Sequence, residues 1–257
     1  MTSTVYKSTI PSHHAEFSTP SHHPTSEGLS VALKVITPSS LAPPHNCYAE
    51  VSILKSVLPH PNIIPLLETF NTPATGGSLS HLVLVFPFYT TSLADLPAVP
   101  HTSADTILKI FRDTFSALAH LHQNGIIHRD VKPSNILFNY TDGTTAGPAY
   151  LADFGIAWSA ITHGDGDEPP NDKITDVGTT HYRPLEILFG YKGYGPELDL
   201  WAMGCTIAEY FTAQVGGENV TFFDAGDLGS ELRLIASIFQ KLGTPNARSW
   251  PVCIFSL

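Results

Sequence analysis

Basic residues are scarce. Only 13 of 257 residues are Lys or Arg, against 23 Asp and Glu, so the chain carries a formal charge of −10. A chain this acidic is a poor electrostatic partner for nucleic acid or for anionic lipid. Cysteine is scarcer still: Cys47, Cys205 and Cys253 stand far apart, with no CxxC or metal-ligand spacing. That pattern excludes a disulfide framework and reads as reduced thiols in an intracellular protein. Long apolar runs are missing too. Nothing approaches the ~20 apolar residues of a membrane span. The N-terminal MTSTVYKSTI has no apolar stretch of signal-peptide length. The expectation is a soluble, intracellular protein, cytoplasmic or nuclear.

Apolar residues nonetheless make up 42% of the chain, enough for a sizeable core. The tetrapeptide PSHH occurs at 11–14 and again at 20–23, inside a run rich in Ser, Thr, His and Pro. Four histidines in two pairs suit a metal, but the composition favours a solvated loop. VALKVI at 31–36 reads as a strand, and NCYAEVSILKSVL at 46–58 as a helix with Val51, Leu54 and Leu58 on its apolar side. Further strands are expected in IIPLLETF (63–70) and HLVLVFPF (81–88).

The remainder reads as mainly helical. Ser103 can cap a helix whose stripe runs Ile107, Phe111, Phe115, Leu118 and Leu121 and which ends at Gly125. Pro196 opens another, with Leu198, Trp201, Cys205 and Ala208 at helical spacing and apolar or small residues nearly all round, so burial is expected. A last helix should run from about Asp227 to Leu242 and stop at Gly243. A small β-rich part followed by a larger α-rich part points to α+β architecture with a cleft between two lobes.

Two dense motifs follow the long helix: His128-Arg129-Asp130-Val131-Lys132-Pro133-Ser134-Asn135, then Asp153-Phe154-Gly155. With Val31-Ala32-Leu33-Lys34 upstream, they match three parts of the protein-kinase signature in order. Phosphoryl transfer asks the protein for positioning and charge neutralisation more than for covalent chemistry. Lys34, a long cation on a strand, suits the α- and β-phosphates of ATP. Glu50 on the next helix suits an ion pair with Lys34, although helix register from sequence also allows a solvated Glu50. Asp153 and Asn135 are hard oxygen ligands for Mg²⁺. Asp130 suits the proton of an attacking hydroxyl, and Lys132 the γ-phosphate. A Lys at that place marks Ser/Thr kinases rather than Tyr kinases. Asp199 alone reads as an acid opening a helix.

From about Val5 to Trp250 the chain resembles the cyclin-dependent kinase family. AEVSILKSVLPHPNIIPLLETF, HLVLVFPFY, YRPLEILFGYKGYGPELDLWAMGCTIAEYF and above all ELRLIASIFQKLGTPNARSWP carry the likeness. The resemblance implies a bilobal fold, with residues 1–89 as N-lobe and 90–257 as C-lobe, and an ATP- and Mg²⁺-dependent Ser/Thr kinase, close to the members that activate others of the family. It implies Phe86 as gatekeeper beside adenine, Tyr89 as the residue whose backbone N–H meets the base, and Ala32 and Leu137 sandwiching it, with Val5 above. Pro87 then sits where only a carbonyl is needed. Arg183 matches the residue that biases the group toward Pro after the phosphorylated site, Thr179 the threonine facing the catalytic Asp, and Asp199 the buried acid behind the His-Arg-Asp backbone. Implied partners are protein substrates, other cyclin-dependent kinases among them.

Departures from the pattern are several. No GxGxxG precedes VALK, and STVYK at 3–7 looks like the second half of that loop, so truncation at both ends is expected. A truncated, catalytically impaired kinase-like binding module is therefore the rival reading. Ala-Pro-Glu is replaced by Pro184-Leu185-Glu186, and the family's arginine partner for Glu186 falls beyond Leu257. The cyclin-contacting motif reads HNCYA at 45–49, which argues against cyclin dependence. Of three arginines that clamp a phosphothreonine in the family, only Arg129 is present; Ala49 and Trp158 replace the others. The phosphothreonine position falls on Ile174, with Thr175 one place off. Asp172 and Asp176 are the expected substitutes for its charge, and Trp158 is expected to pack the loop through apolar contact.

Overall fold

The computed structural model describes residues 3–10, 29–73, 79–98, 102–140, 145–163, 168–216, 221–246 and 248. Both PSHH tetrapeptides, Cys253 and the Ser-Trp-Pro of the C-terminal motif lie outside them. The described elements run β1 (Ser3–Ile10), β2 (Leu29–Ile36), α1 (Cys47–Val57), β3 (Glu68–Thr72), β4 (His81–Pro87), β5 (Thr91–Ser92), α2 (Ala104–Gln123) and β6 (Ile126–Ile127). Then come β7 (Ile136–Phe138), β8 (Tyr150–Leu151), β9 (Trp158–Ser159), α3 (Ala160–His163), α4 (Leu185–Leu188), α5 (Glu197–Gly216) and α6 (Glu231–Leu242). Strand order in the first sheet is β1-β2-β4-β3, all antiparallel. The expected small β-rich part followed by a helical part is what the chain forms.

In β2, alternation sends Val31 into a small apolar cluster with Leu29 and Val85, while Ala32 and Lys34 take the opposite face. Helix α1 packs Ile53, Leu54 and Val57 with Leu82, Leu84 and Phe86 of β4. The same core continues into α2 through Ile107, Ile110, Phe111, Leu118 and Leu121, and into Ile136, Phe138, Leu151 and Phe154. One apolar core thus crosses both parts and fixes the strands that carry Lys34 relative to the loops that carry Asp130 and Asp153. Removing a fully buried side chain from it, as in Ile53→Ala, costs about 2–5 kcal/mol.

Helix α2 starts as read: the Ser103 side chain accepts from Thr106 N, and Gly125 follows its end at φ +67°. Phe115 does not join the stripe. It is 42% exposed, and Thr114 takes the inner place, its hydroxyl donating to Ile110 O at 2.9 Å. The strand expected over 63–70 forms only at Glu68–Thr72. Pro65 has no N–H to give a ladder, and Ile63 makes one isolated bridge to Leu151. Helix α6 starts at Glu231 rather than Asp227, because Ser230 caps it by accepting from Arg233 N. In α5, Leu198, Ala202, Met203 and Cys205 are buried, but Leu200 and Phe211 are exposed, so that helix is covered on one side only among the described residues. No described helix is long and apolar enough to cross a membrane.

Candidate active site

Two clusters of charged side chains meet at one cleft. Lys34, Glu50, Asp130, Asp153 and Gly155 line it together with Asn46 and Cys47.

The first cluster centres on Lys34. Its Nζ donates to Glu50 Oε1 at 2.7 Å, to Glu50 Oε2 at 2.9 Å and to Asp153 Oδ1 at 2.7 Å. Burial works against the ammonium, but the Glu50 and Asp153 carboxylates outweigh it and hold Lys34 above its ordinary range. Burial likewise opposes ionisation of Asp153, yet Lys34 prevails and holds that carboxyl at about 2. Glu50 is buried on α1 and not a solvated helix residue. Its position follows from the helix start. The Asn46 side chain accepts from Tyr48 N at 3.1 Å and Ala49 N at 3.0 Å. Asn46 N in turn donates to Gly155 O at 3.1 Å, tying the start of α1 to the Asp-Phe-Gly turn.

The second cluster centres on Asp130. Thr179 Oγ1 donates to Asp130 Oδ1 at 2.9 Å, and Lys132 Nζ donates to Asp130 Oδ2 and to Thr179 Oγ1, each at 2.8 Å. Asn135 Nδ2 donates to Asp130 O at 2.8 Å and to Asp130 Oδ2 at 3.1 Å. These bonds tie Thr179 to Asp130 and Lys132, 49 and 47 positions earlier, and commit both protons of the Asn135 amide, which leaves its Oδ1 as the acceptor to offer.

Backbone support lies beneath. Arg129 and Asp153 are the described non-glycine residues at positive φ, 68° and 66°. Such conformations cost about 1–3 kcal/mol each and persist where the surroundings fix them. Asp199, fully buried on α5, does so for Arg129: Oδ2 accepts from His128 N at 2.9 Å and Oδ1 from Arg129 N at 2.8 Å. His122 Nε2 meets the same carboxylate at 2.8 Å. Asp199 is thus a strut under the loop, as the resemblance implies, and not merely a helix-opening acid. Burial pushes the His128 imidazole below its usual range, so it is neutral. Its Nε2 bonds Ala152 O at 3.1 Å, Nδ1 accepts from Asp130 N, and its ring meets Phe154 edge-on at 4.8 Å.

Of the residues read for the base pocket, Val5, Ala32 and Phe86 lie on β1, β2 and β4, Tyr89 follows β4, and Leu137 lies on β7. Ala32 pairs with Phe86 in register, and Val5 pairs with Lys34, so Val5 takes the face that carries Lys34. Val5 is 63% exposed there. Leu137 and Ala32 are partly buried against the main core. Tyr89 is buried with its ring 4.8 Å from Tyr150, and burial drives its phenol far above the usual range.

One residue of the site escaped the sequence. Arg129 is buried, and Glu168 pairs with it: Oε1 accepts from Nη1, and Oε2 from Nη2 at 3.3 Å. Asp172 and Asp176, the expected sources of that charge, do not reach Arg129. Both are on the outer side of the loop, Asp172 with Lys192 at 2.6 Å and Asp176 with Arg183 at 2.8 Å. Trp158 does pack the loop: its ring is buried with Ile127, Val177, Ile187, Tyr194 and Leu198, and its Nε1 donates to Glu168 O at 2.9 Å. Glu168 lies in an acidic, Pro-flanked run, and nothing in its spacing marks it.

Known proteins resemble this chain along most of its length. A protein kinase domain model matches residues 21–223. Serine/threonine-protein kinase csk1 of Schizosaccharomyces pombe is 40% identical over 211 residues, 81% of this chain and 63% of that protein. Serine/threonine-protein kinase CAK1 of Saccharomyces cerevisiae is 32% identical over 261 residues, covering 85% of this chain and 70% of that protein. Cyclin-dependent kinase 7 of Xenopus laevis is 36% identical over 209 residues, 79% of this chain and 50% of that protein. Among solved structures, the yeast RNA Pol II CTD kinase CTDK-1 complex contains a chain that superposes with a TM-score of 0.68 at 27% identity, covering 89% of this chain and 67% of that one. The chain thus spans a little under two thirds of csk1 and half of the Xenopus kinase. With the catalytic loop, the Asp-Phe-Gly turn and the Lys34–Glu50 pair all formed, the chain belongs to the protein kinase family, among the serine/threonine kinases related to the cyclin-dependent kinases.

Proposed function

We propose that the protein transfers the γ-phosphate of ATP to a protein Ser or Thr that is followed by Pro. The observation that carries this reading is the Asp130–Lys132–Thr179 array beside the Lys34–Glu50–Asp153 array in one cleft. Lys34, held charged, neutralises phosphate oxygens. Asp130, acceptor of three side-chain donors, orients the attacking hydroxyl and takes up its proton. Lys132 stands between Asp130 and Thr179 and steadies the group in flight. Asp153 and Asn135 fit a hard divalent ion: one is a carboxylate held ionised, the other an amide whose N–H protons are spent on Asp130. Mg²⁺ bound there would supply further neutralisation of phosphate charge. The same side-chain order argues against the rival reading, a kinase-like binding module without turnover.

Preference for Pro rests on Gly178. Its φ is +74°, and its carbonyl accepts from Arg183 Nε at 3.0 Å. A substrate residue at this place finds that acceptor taken. An N–H left without a partner costs about 1–3 kcal/mol, and Pro has none to leave. Among protein substrates, other cyclin-dependent kinases are the class the resemblance favours. A cyclin is not required to close the Lys34–Glu50 pair, because Asn46 already ties α1 to Gly155. The test is phosphate incorporation from labelled ATP and Mg²⁺ into matched Ser-Pro, Ser-Ala and Tyr-Pro peptides. Incorporation into Ser-Pro at least ~5-fold above Ser-Ala, the low end of that cost, and none into Tyr-Pro, is expected. Equal use of all three contradicts the reading.

A further inference from the structure

Arg129 is a buried cation next to Asp130, and among the described residues one carboxylate, Glu168, pairs with its guanidinium. Both oxygens of Glu168 are engaged with its guanidinium, and Oε1 also accepts from Ile174 N at 2.9 Å. Arg129 spends its other donors on neighbouring pieces: Nε on Ile156 O at 2.5 Å, and Nη1 on Tyr194 OH at 3.1 Å. The Tyr194 hydroxyl passes on to Ile174 O at 2.6 Å. Lys173 is buried beside this knot, its Nζ 4.8 Å from the Trp158 ring centre and 5.0 Å from that of Tyr194. Glu168 therefore joins the catalytic loop, the turn after Asp-Phe-Gly and the backbone at Ile174. Four residues after Ile174, Gly178 lies so close to Arg129 O that an added Cβ would stand 3.0 Å from it, and Thr179 bonds Asp130.

We propose that Glu168 is a positioning residue for phosphoryl transfer: an anion built into the chain that holds Arg129, and through Arg129 the Thr179–Asp130 contact, with no modification of the segment. Ile174 N is bound by a carboxylate here, so no acceptor oxygens need to be added at Ile174 or Thr175. Glu168 touches neither substrate nor cofactor; it acts through Arg129. The proposal rests on the kinase reading above.

The experiment compares the full chain with Glu168→Gln, Glu168→Asp and the double variant Arg129→Met/Glu168→Leu, which removes the buried charges together. Peptide kcat, the KM for ATP, thermal unfolding and amide exchange over Ile174–Thr179 are read for each. For Glu168→Gln, kcat should fall by ~10²-fold, the usual penalty of an ångström misplacement at a reacting centre. Its KM for ATP should stay within about twofold, since nucleotide contacts are not Glu168's. Glu168→Asp should recover part of the loss, and the double variant should fold yet stay slow. Phosphatase treatment should leave the wild type unchanged. A Glu168→Gln kcat within about threefold of wild type, a fully active double variant, or loss of wild-type activity to phosphatase each overturns the proposal. Failure of every variant to fold would assign Glu168 to the fold and overturn it as well. An inert wild type would instead sink the kinase reading; amide exchange then decides alone, and unchanged exchange in Glu168→Gln overturns the clamp.

Discussion

Asp153 Oδ1 lies 2.7 Å from Lys34 Nζ, across 119 residues of chain. The two ions hold each other charged in a cleft where phosphate charge has to be met. Lys34→Met and Asp153→Asn should each lower turnover by ~10²-fold or more, the scale of losing one preorganised charge contact. The sign of the acid dependence follows from the depressed Asp153 carboxyl, at about 2. Its contribution to stability is complete above the unfolded value, about 3.9, and is lost as pH falls from there toward the folded value. Unfolding of wild type and Asp153→Asn should therefore converge in that acid window. Near-normal turnover of either variant is the contrary result.

The second prediction concerns the start of α1. Asn46→Ala frees Tyr48 N and Ala49 N and should cost about 1 kcal/mol of stability. Because α1 carries Glu50, the variant should also lose activity several-fold more than its stability loss explains, while the wild type works with no cyclin added. A denaturant titration and a parallel peptide assay measure both. A wild type inert until a cyclin is supplied would refute this.

Glu186 carries the third. It is partly buried, and burial, with Glu197 adding to it, pushes its carboxyl above the usual range. Among the described residues no cation pairs with it. An acid whose folded value is raised penalises the fold when ionised, and the penalty eases as pH falls through that raised value. Glu186→Gln should raise the melting temperature of this 257-residue chain at pH 7 by a few degrees, the response of a domain this size to about 1 kcal/mol. The gain should shrink under mildly acidic conditions. A lower melting temperature in the Gln variant would show that a cation does pair with Glu186.

Legibility of the site followed the range of its interactions. Asp130, Lys132 and Asn135 sit within six residues and bond one another, so their roles travel with a local motif. Lys34 and Glu50 were readable because each stands on a patterned element, β2 and α1, and Asp153 because it opens the Asp-Phe-Gly tripeptide. Glu168 was not, because an acid in a run with Asp165, Asp167 and two prolines looks solvated, and only packing over 39 residues buries it against Arg129. Asp172 and Asp176 look the same in sequence and are exposed. The fold was legible at the level of strand, helix and cap. It failed where one residue outweighs a pattern: Pro65 delays β3 to Glu68, and Thr114 takes the inner place that helical periodicity assigns to Phe115.

The central claim is that Asp130 accepts the proton of a Ser or Thr hydroxyl during phosphate transfer. The most direct measurement is phosphate incorporation into a Ser-Pro peptide by wild type and Asp130→Asn at saturating ATP and Mg²⁺, with nucleotide affinity measured alongside. The account predicts a loss of ~10²–10⁴-fold in turnover, the usual contribution of a positioned general base, with nucleotide affinity little changed. An Asp130→Asn chain that turns over at the wild-type rate would contradict it.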